Sequence, residues 1–208
     1  MNLALVTSYI IAAMLIMSIV MMNLRMSSSS AELTLTQLTR ERVVAVAEML
    51  NDDIPNIGYN VYSKTDETLT YANSHRITFY RNIENDETRE PERITWEFFE
   101  NEELSNTKNP DHRLLTRTVY DPNTNEEYVT EIRSGVTRFH LRYYDQPGRN
   151  LDDNMATPGA SESSLQNVRQ IYLELELQSA EPIYTRGNSD GRYIRSVYEK
   201  RYSPRNLE

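Results

Sequence analysis

No cysteine occurs anywhere in the chain, so disulfides, thiolate metal sites and cysteine nucleophiles are excluded by count. Histidine is nearly as scarce: His75, His112 and His140 lie far apart in sequence, which makes a histidine-rich metal site a poor reading. Positive charge is in deficit, with 22 Lys+Arg against 31 Asp+Glu and a formal net charge of -9. A nucleic-acid binder that relies on neutralising phosphates is therefore not expected. Catalytic signatures are missing too, since no GxSxG, HExxH, Walker A loop or dinucleotide fingerprint occurs. Glu97, Glu100, Glu102 and Glu103 offer paired carboxylates, but a charge run at a strand end reads as solvated surface. His140 alternates away from Phe139 and Leu141 and reads as an exposed sheet residue rather than a base. No enzyme is expected. The 208 residues suffice for one domain, or for one domain plus an appendage. Fourteen tyrosines beside one tryptophan point to sheet and surface contacts more than to a large apolar core.

What the chain does have begins at its N-terminus. Leu3 to Met22 reads LALVTSYIIAAMLIMSIVMM, twenty residues without a charge. As helix that is about 30 Å, the thickness of a bilayer's hydrocarbon core. A retained transmembrane anchor over residues 1–25 is the leading reading. A cleaved secretory signal competes with it, because SSSSA at Ser27 to Ala31 offers small residues for cleavage, but no basic residue precedes the apolar run and the run is long for such a signal. A buried soluble helix is the third reading. Leu3, Ser8, Ala12, Ala13, Ile16 and Ser18 are the candidate packing positions of the span, the small and polar ones permitting close helix approach. Arg25, Arg40 and Arg42 follow the span, and the positive-inside rule alone would put the rest of the chain in the cytoplasm.

The helical pattern continues past the span. Val43, Val46, Leu50, Ile54 and Ile57 recur at helical steps and form one apolar stripe, while Glu32, Arg40, Arg42, Glu48 and Asp52 fall on other faces. The stripe predicts helix-to-sheet packing for an amphipathic continuation over residues 26–57. The serine run is its weak point, because serine side chains compete for backbone hydrogen bonds. If helix persists through it, one rod runs from Leu3 to about Asn56, ended by Pro55 and Gly58.

From residue 58 to 208 the period changes to two, which predicts a β-rich head. Arg76 to Tyr80, Ile94 to Phe98 and Thr137 to Tyr143 alternate apolar and polar residues, and Arg113 to Tyr120, Glu127 to Ile132 and Tyr193 to Lys200 are further strand candidates. Asp121 to Glu126 reads as a hairpin turn. Gln170 to Gln178 has the clearest pattern: Ile171, Leu173, Leu175 and Leu177 face one way, and Tyr172, Glu174 and Glu176 face the other as a candidate partner face. In the polar loop that follows Tyr144, the oxygens of Asp145, Asp152, Asp153 and Asn154 offer ligands for Ca²⁺. The spacing is not that of an EF-hand, however, and a solvated loop is the better reading. No other cofactor is indicated.

The order of segments resembles the type IV pilin-like proteins, and within them the minor pilins and the J-type minor pseudopilin of type II secretion. The apolar helix running into an amphipathic one is followed by RITFYRNIEND, by RITWEFFENEEL with HRLLTRTVY, by SGVTRFHLRYYDQPG, by LQNVRQIYLELELQS and by YIRSVYEKRYSPRNL. The resemblance implies an α+β fold in which a long N-terminal helix packs against an antiparallel β-sheet. It implies an extracytoplasmic head on a single-pass inner-membrane protein, or a filament-associated protein at the cell surface. The implied partners are membrane lipid and other pilin-like subunits or a membrane assembly complex. The departures from the family pattern are the lack of a basic leader ending in glycine and of any acid from Met1 to Ala31. They speak against ordinary entry into a filament and are compatible both with a tip or initiation subunit, the role expected here, and with the alternative, a membrane-anchored accessory subunit that never polymerises. A secreted hydrolase is a remote third reading.

Overall fold

In the computed structural model residues 3–61, 68–84, 88–105, 107–151, 165–184 and 191–207 are described. The first element is one unbroken α-helix, α1 (Leu3–Asp53) of 51 residues, about 77 Å long at 1.5 Å per residue. The serine run does not interrupt it, because short hydroxyl side chains turn back onto their own helix. Ser28 donates to the Arg25 carbonyl, and Thr34, Thr36 and Thr39 donate to the carbonyls of Ser30, Glu32 and Leu35. A single 3₁₀ turn, Ile54–Asn56, tightens the end of the helix at Pro55. Gly58 then takes a positive φ of 72°, and a Cβ there would lie 2.9 Å from Thr68.

Eight strands follow: β1 (Leu69–Ala72), β2 (Arg76–Arg81), β3 (Glu92–Glu103), β4 (Arg113–Asp121), β5 (Glu126–Ile132), β6 (Val136–Tyr144), β7 (Gln170–Gln178) and β8 (Arg195–Tyr202). They divide into two antiparallel sheets, in order β1-β2-β3-β4-β5 and β6-β7-β8, rather than one. The Asp121 carboxylate organises the β4–β5 turn by accepting from the Asn123 backbone and the Thr124 hydroxyl. β1 carries no alternating signal: it is four residues long, and its pairing with β2 is irregular between Leu69 and Tyr71. The acidic run from Glu97 is the second half of β3, and it is exposed from Glu100 to Glu103.

One core joins the helix to both sheets. Val43, Val46, Leu50, Ile54 and Ile57 lie in it together with Ile77, Phe79, Ile94, Trp96, Phe139, Leu141, Leu173 and Leu175. Trp96 of the larger sheet stacks on Phe139 of the smaller at 6.4 Å between ring centroids. The β1–β2 turn bridges the two sheets, since the Leu141 N–H donates to the Ser74 carbonyl at 2.8 Å and the Tyr143 hydroxyl to the Asn73 carbonyl at 2.9 Å.

Candidate functional site

The two halves of α1 have opposite environments. Buried helix residues begin at Thr39 and end at Asp53. The apolar half is uncovered by the rest of the chain: its most apolar 18-residue stretch has a mean hydropathy of 2.4 and none of it is buried. Leaving a large apolar side chain in water forgoes ~1.5–3 kcal/mol, so this stretch calls for lipid or other helices around it. The helix is long and apolar enough to cross a membrane, as an anchor or a signal sequence. Burial inside the chain's own core, the third reading above, does not occur. Ser8, Ala12 and Ile16 recur at four-residue steps and share one helix face, to which Ala13 is adjacent; Leu3 and Ser18 fall elsewhere around the helix.

The last two turns of α1 clamp both sheets. Asn51 Oδ1 accepts from the hydroxyls of Tyr198 and Tyr202, each at 3.0 Å, and from Lys200 Nζ, all on β8. Two residues later Asp53, fully buried, takes four donors from the larger sheet. Trp96 Nε1 donates at 2.8 Å, Arg117 Nε and Nη2 at 2.6 and 2.8 Å, and Arg81 Nη1 at 3.1 Å. The Asp53 hydrogen bond is the chief reason why the Arg117 guanidinium is held above its ordinary value. Asp52, itself exposed, adds a pair with Arg81 Nη2 at 2.8 Å. Sequence reading overlooked Asp53. The signal was its place three residues after Leu50 and seven after Val46, an acid on the apolar stripe itself.

The candidate partner face lies on the central strand of the smaller sheet and is not a row of free carboxylates. The Tyr172 hydroxyl donates to Glu199 at 2.8 Å, a bond that pushes its ionisation upward, and Arg142 sits over its ring. Glu174 pairs with Arg138 at 2.9 Å. Glu176 pairs with Arg195 at 2.7 Å, accepts from Thr137 and Gln178, and is only 7% exposed. The expected wet position of Glu176 is thus a buried one. Side chains from the flanking strands close over a central strand from both sides, which an alternating pattern does not reveal.

Two histidines far apart in sequence meet at the seam between the sheets. The rings of His75 and His140 lie 5.9 Å apart, with Glu100 3.8 Å from His75 Nδ1, beside a cavity of about 400 Å³. Among the described residues no group of three His, Asp or Glu side chains is placed to hold a metal ion. In the Ca²⁺ reading, Asp145 has its carboxylate committed to the Arg149 backbone N–H at 2.7 Å and to Arg149 Nε at 2.9 Å. Asp152, Asp153 and Asn154 lie outside the described residues.

The third histidine, His112, is buried where the β3–β4 loop meets the end of β7. A carbonyl can only accept, so the 3.2 Å contact to the Gln178 oxygen places a ring proton on Nε2, while the Thr107 hydroxyl lies 2.9 Å from Nδ1. Burial is the main cause that pushes this imidazole below its ordinary value of 6.5. The unfolded chain therefore binds a proton in a window just below pH 6.5 where the folded chain does not. Stability is expected to be full above that pH and to fall as pH drops through the window. Denaturation midpoints between pH 7.5 and 5 should show a smaller drop in His112→Gln than in the parent chain. Equal slopes would remove this histidine from the account.

Compared with known proteins, the chain matches no protein-family model, and no curated protein matches its sequence.

Proposed function

We propose that the chain is a structural minor pilin or pseudopilin-like subunit of a membrane-associated filament or secretion assembly, placed at its tip or in its initiation. The observation that carries this reading is the division of one continuous helix: an uncovered apolar half and a half that is clamped to a β-rich head. A helix of this kind can hold the subunit in the inner membrane with the head outside the cytoplasm. It can then exchange lipid for neighbouring helices without refolding the head. The head has no catalytic role in this reading, and its work is to present surfaces to neighbouring subunits or cargo.

A second reading is favoured by one feature. The first turn of α1 has no acid, and none follows before Glu32. A helix bundle built on this chain would thus lack a carboxylate to neutralise a neighbour's terminal amine. The alternative is accordingly a membrane-anchored accessory subunit of another envelope complex that does not polymerise.

Affinity isolation from gently solubilised membranes, with mass spectrometry of the partners and of this chain's own N-terminus, separates the two. Recovery of pilin-like chains with their peptidase or assembly platform is the expected result. Recovery of an unrelated stoichiometric membrane complex would sink the filament role and leave the accessory one.

A further inference from the structure

Among the described residues three edge strands make no backbone hydrogen bond apart from those to a sheet neighbour: β1 and β5 in the larger sheet and β8 in the smaller. β1 is only four residues long, with Leu69 and Ala72 buried, which leaves β5 and β8 as the two edges long and exposed enough to take another strand. We propose that these two edges pair with each other between two copies of this chain anchored in one bilayer, β5 of one copy adding antiparallel to β8 of the next with Val129 opposite Val197. The proposal rests on the membrane-anchored part of the reading above and not on the filament.

β5 is unusually bare for a strand. Six of its seven residues are exposed, and Tyr128 and Val129, which point to opposite faces, are 57% and 55% exposed. It has no proline or lysine to blunt the edge, and its charges are three glutamates. On β8, Val197 is 40% exposed, and the charges are Arg195, Glu199, Lys200 and Arg201.

Three independent features agree on the register. The first is charge. With Val129 opposite Val197, Glu131, which also pairs with its neighbour Arg133, meets Arg195, which also pairs with Glu176; Glu126 meets Lys200, which also donates to Asn51; and Tyr128 meets Tyr198. The one like-charge pair is Glu127 with Glu199, and Glu199 already accepts a hydrogen bond from Tyr172 and is followed by Arg201. A parallel pairing about the same valines gains Glu127 with Arg195 but sets Glu131 against Glu199 and leaves Glu126 without a basic partner.

The second is facing. Tyr128 stands beside buried Val119, and Tyr198 beside buried Leu175, so both tyrosines are on the core side of their sheets. Val129 and Val197 are on the outer side, and the proposed register joins like face to like face.

The third is direction. β8 climbs α1: Arg192, just before it, pairs with Glu32, whereas Tyr202 at its end reaches Asn51. β5 descends. Its start is level, through the pairs Glu127–Tyr120, Tyr120–Arg93 and Arg93–Tyr80, with the end of β2, where Arg81 meets Asp52. Its end at Ile132 shares a cavity with Val46 and Arg42, lower on the helix. Two copies whose helices enter the same bilayer in the same sense therefore present β5 and β8 in opposite directions, as an antiparallel ladder requires. Each copy offers one edge and accepts on the other, so the contact is head-to-tail. Tethering in the bilayer raises the effective concentration of an edge contact too small to persist between free molecules.

The absence of native cysteine makes the test direct. Full-length Val129→Cys and Val197→Cys chains, distinguished by tags, are co-expressed, and their membranes are treated with a mild oxidant. Opposed residues of a ladder lie within disulfide reach. The expected product is the 129–197 disulfide, in excess over 129–129 and 197–197 and over a 129–201 control made with Arg201→Cys. Glu131→Lys in the Val129→Cys chain should lower its yield about fivefold, the equivalent of about 1 kcal/mol for a cross-strand charge pair. Alkaline extraction of the same membranes separates the two ways to fail. Chains released by it overturn the anchoring, and with it the proposal. Chains that stay in the membrane but give no preference for 129–197, or link position 129 to a different protein, overturn the pairing alone.

Discussion

Replacing Asp53 by alanine is expected to lower the stability of the head by about 3–5 kcal/mol, the range for removing one member of a buried ion pair. The cost is large because the carboxylate is fully buried and answers three side chains at once. Without it, the Arg81 side chain, 10% exposed, keeps only the Asp52 pair and carbonyl, the partly buried Arg117 guanidinium loses its carboxylate, and the Trp96 indole is left unpaired in the interior. Asp53→Asn keeps the shape and one acceptor but loses the charge, and should fall between the parent and the alanine variant. Trp96, the single tryptophan of the chain, donates directly to Asp53, so its fluorescence during urea denaturation of the full chain in detergent reports this locus. A loss below about 1 kcal/mol, the size of an exposed pair, would mean that the clamp is not what joins helix to sheet. The loss should also be asymmetric, because the Asn51 contacts to β8 are untouched and the smaller sheet keeps its hold on α1.

The second large effect belongs to the other half of the helix. Ala13 lies near the midpoint of the twenty-residue apolar run, and Ala13→Arg places a charge at the depth where insertion costs about 3 kcal/mol, roughly 100-fold in partition. The fraction of chain that resists alkaline extraction is expected to drop strongly. Val44→Arg, at an exposed helix position beside the head, should leave that fraction unchanged. An Ala13→Arg chain that stays fully in the membrane would indicate that other helices, and not lipid, surround the span. The two substitutions together test the proposed division of labour, since the Asp53 change should spare membrane residence and the Ala13 change should spare the fold of the head.

These expectations connect stability to function through one element. A rigid helix transmits the orientation of a bilayer-held segment to a sheet domain only if its far end is fixed to both sheets. Asn51 and Asp53 do this within a single turn, on opposite sheets. Their positions also set the levels of β5 and β8 along the helix, on which the pairing of neighbouring copies depends.

Much of the fold was legible in the chain because its strongest signals are local. An uncharged twenty-residue run, the stripe through Val43, Val46 and Leu50, the strict alternation of Gln170 to Gln178 and the turn formers after Tyr120 each describe a segment whose neighbours in space are its neighbours in sequence. The spacing of apolar side chains along a helix or strand follows from covalent geometry, so it can be read without knowing what lies opposite. β1 escaped because four residues with a bulge have no period. The division into two sheets, the burial of Glu176, the meeting of His75 with His140 and the four donors around Asp53 depended on which strands lie side by side. That order is settled by long-range packing, in which residues dozens of positions apart share one desolvated space. The stripe foretold that the end of α1 would be buried, but the need to neutralise a carboxylate placed there arises only when β2, β3 and β4 bring Arg81, Trp96 and Arg117 against it.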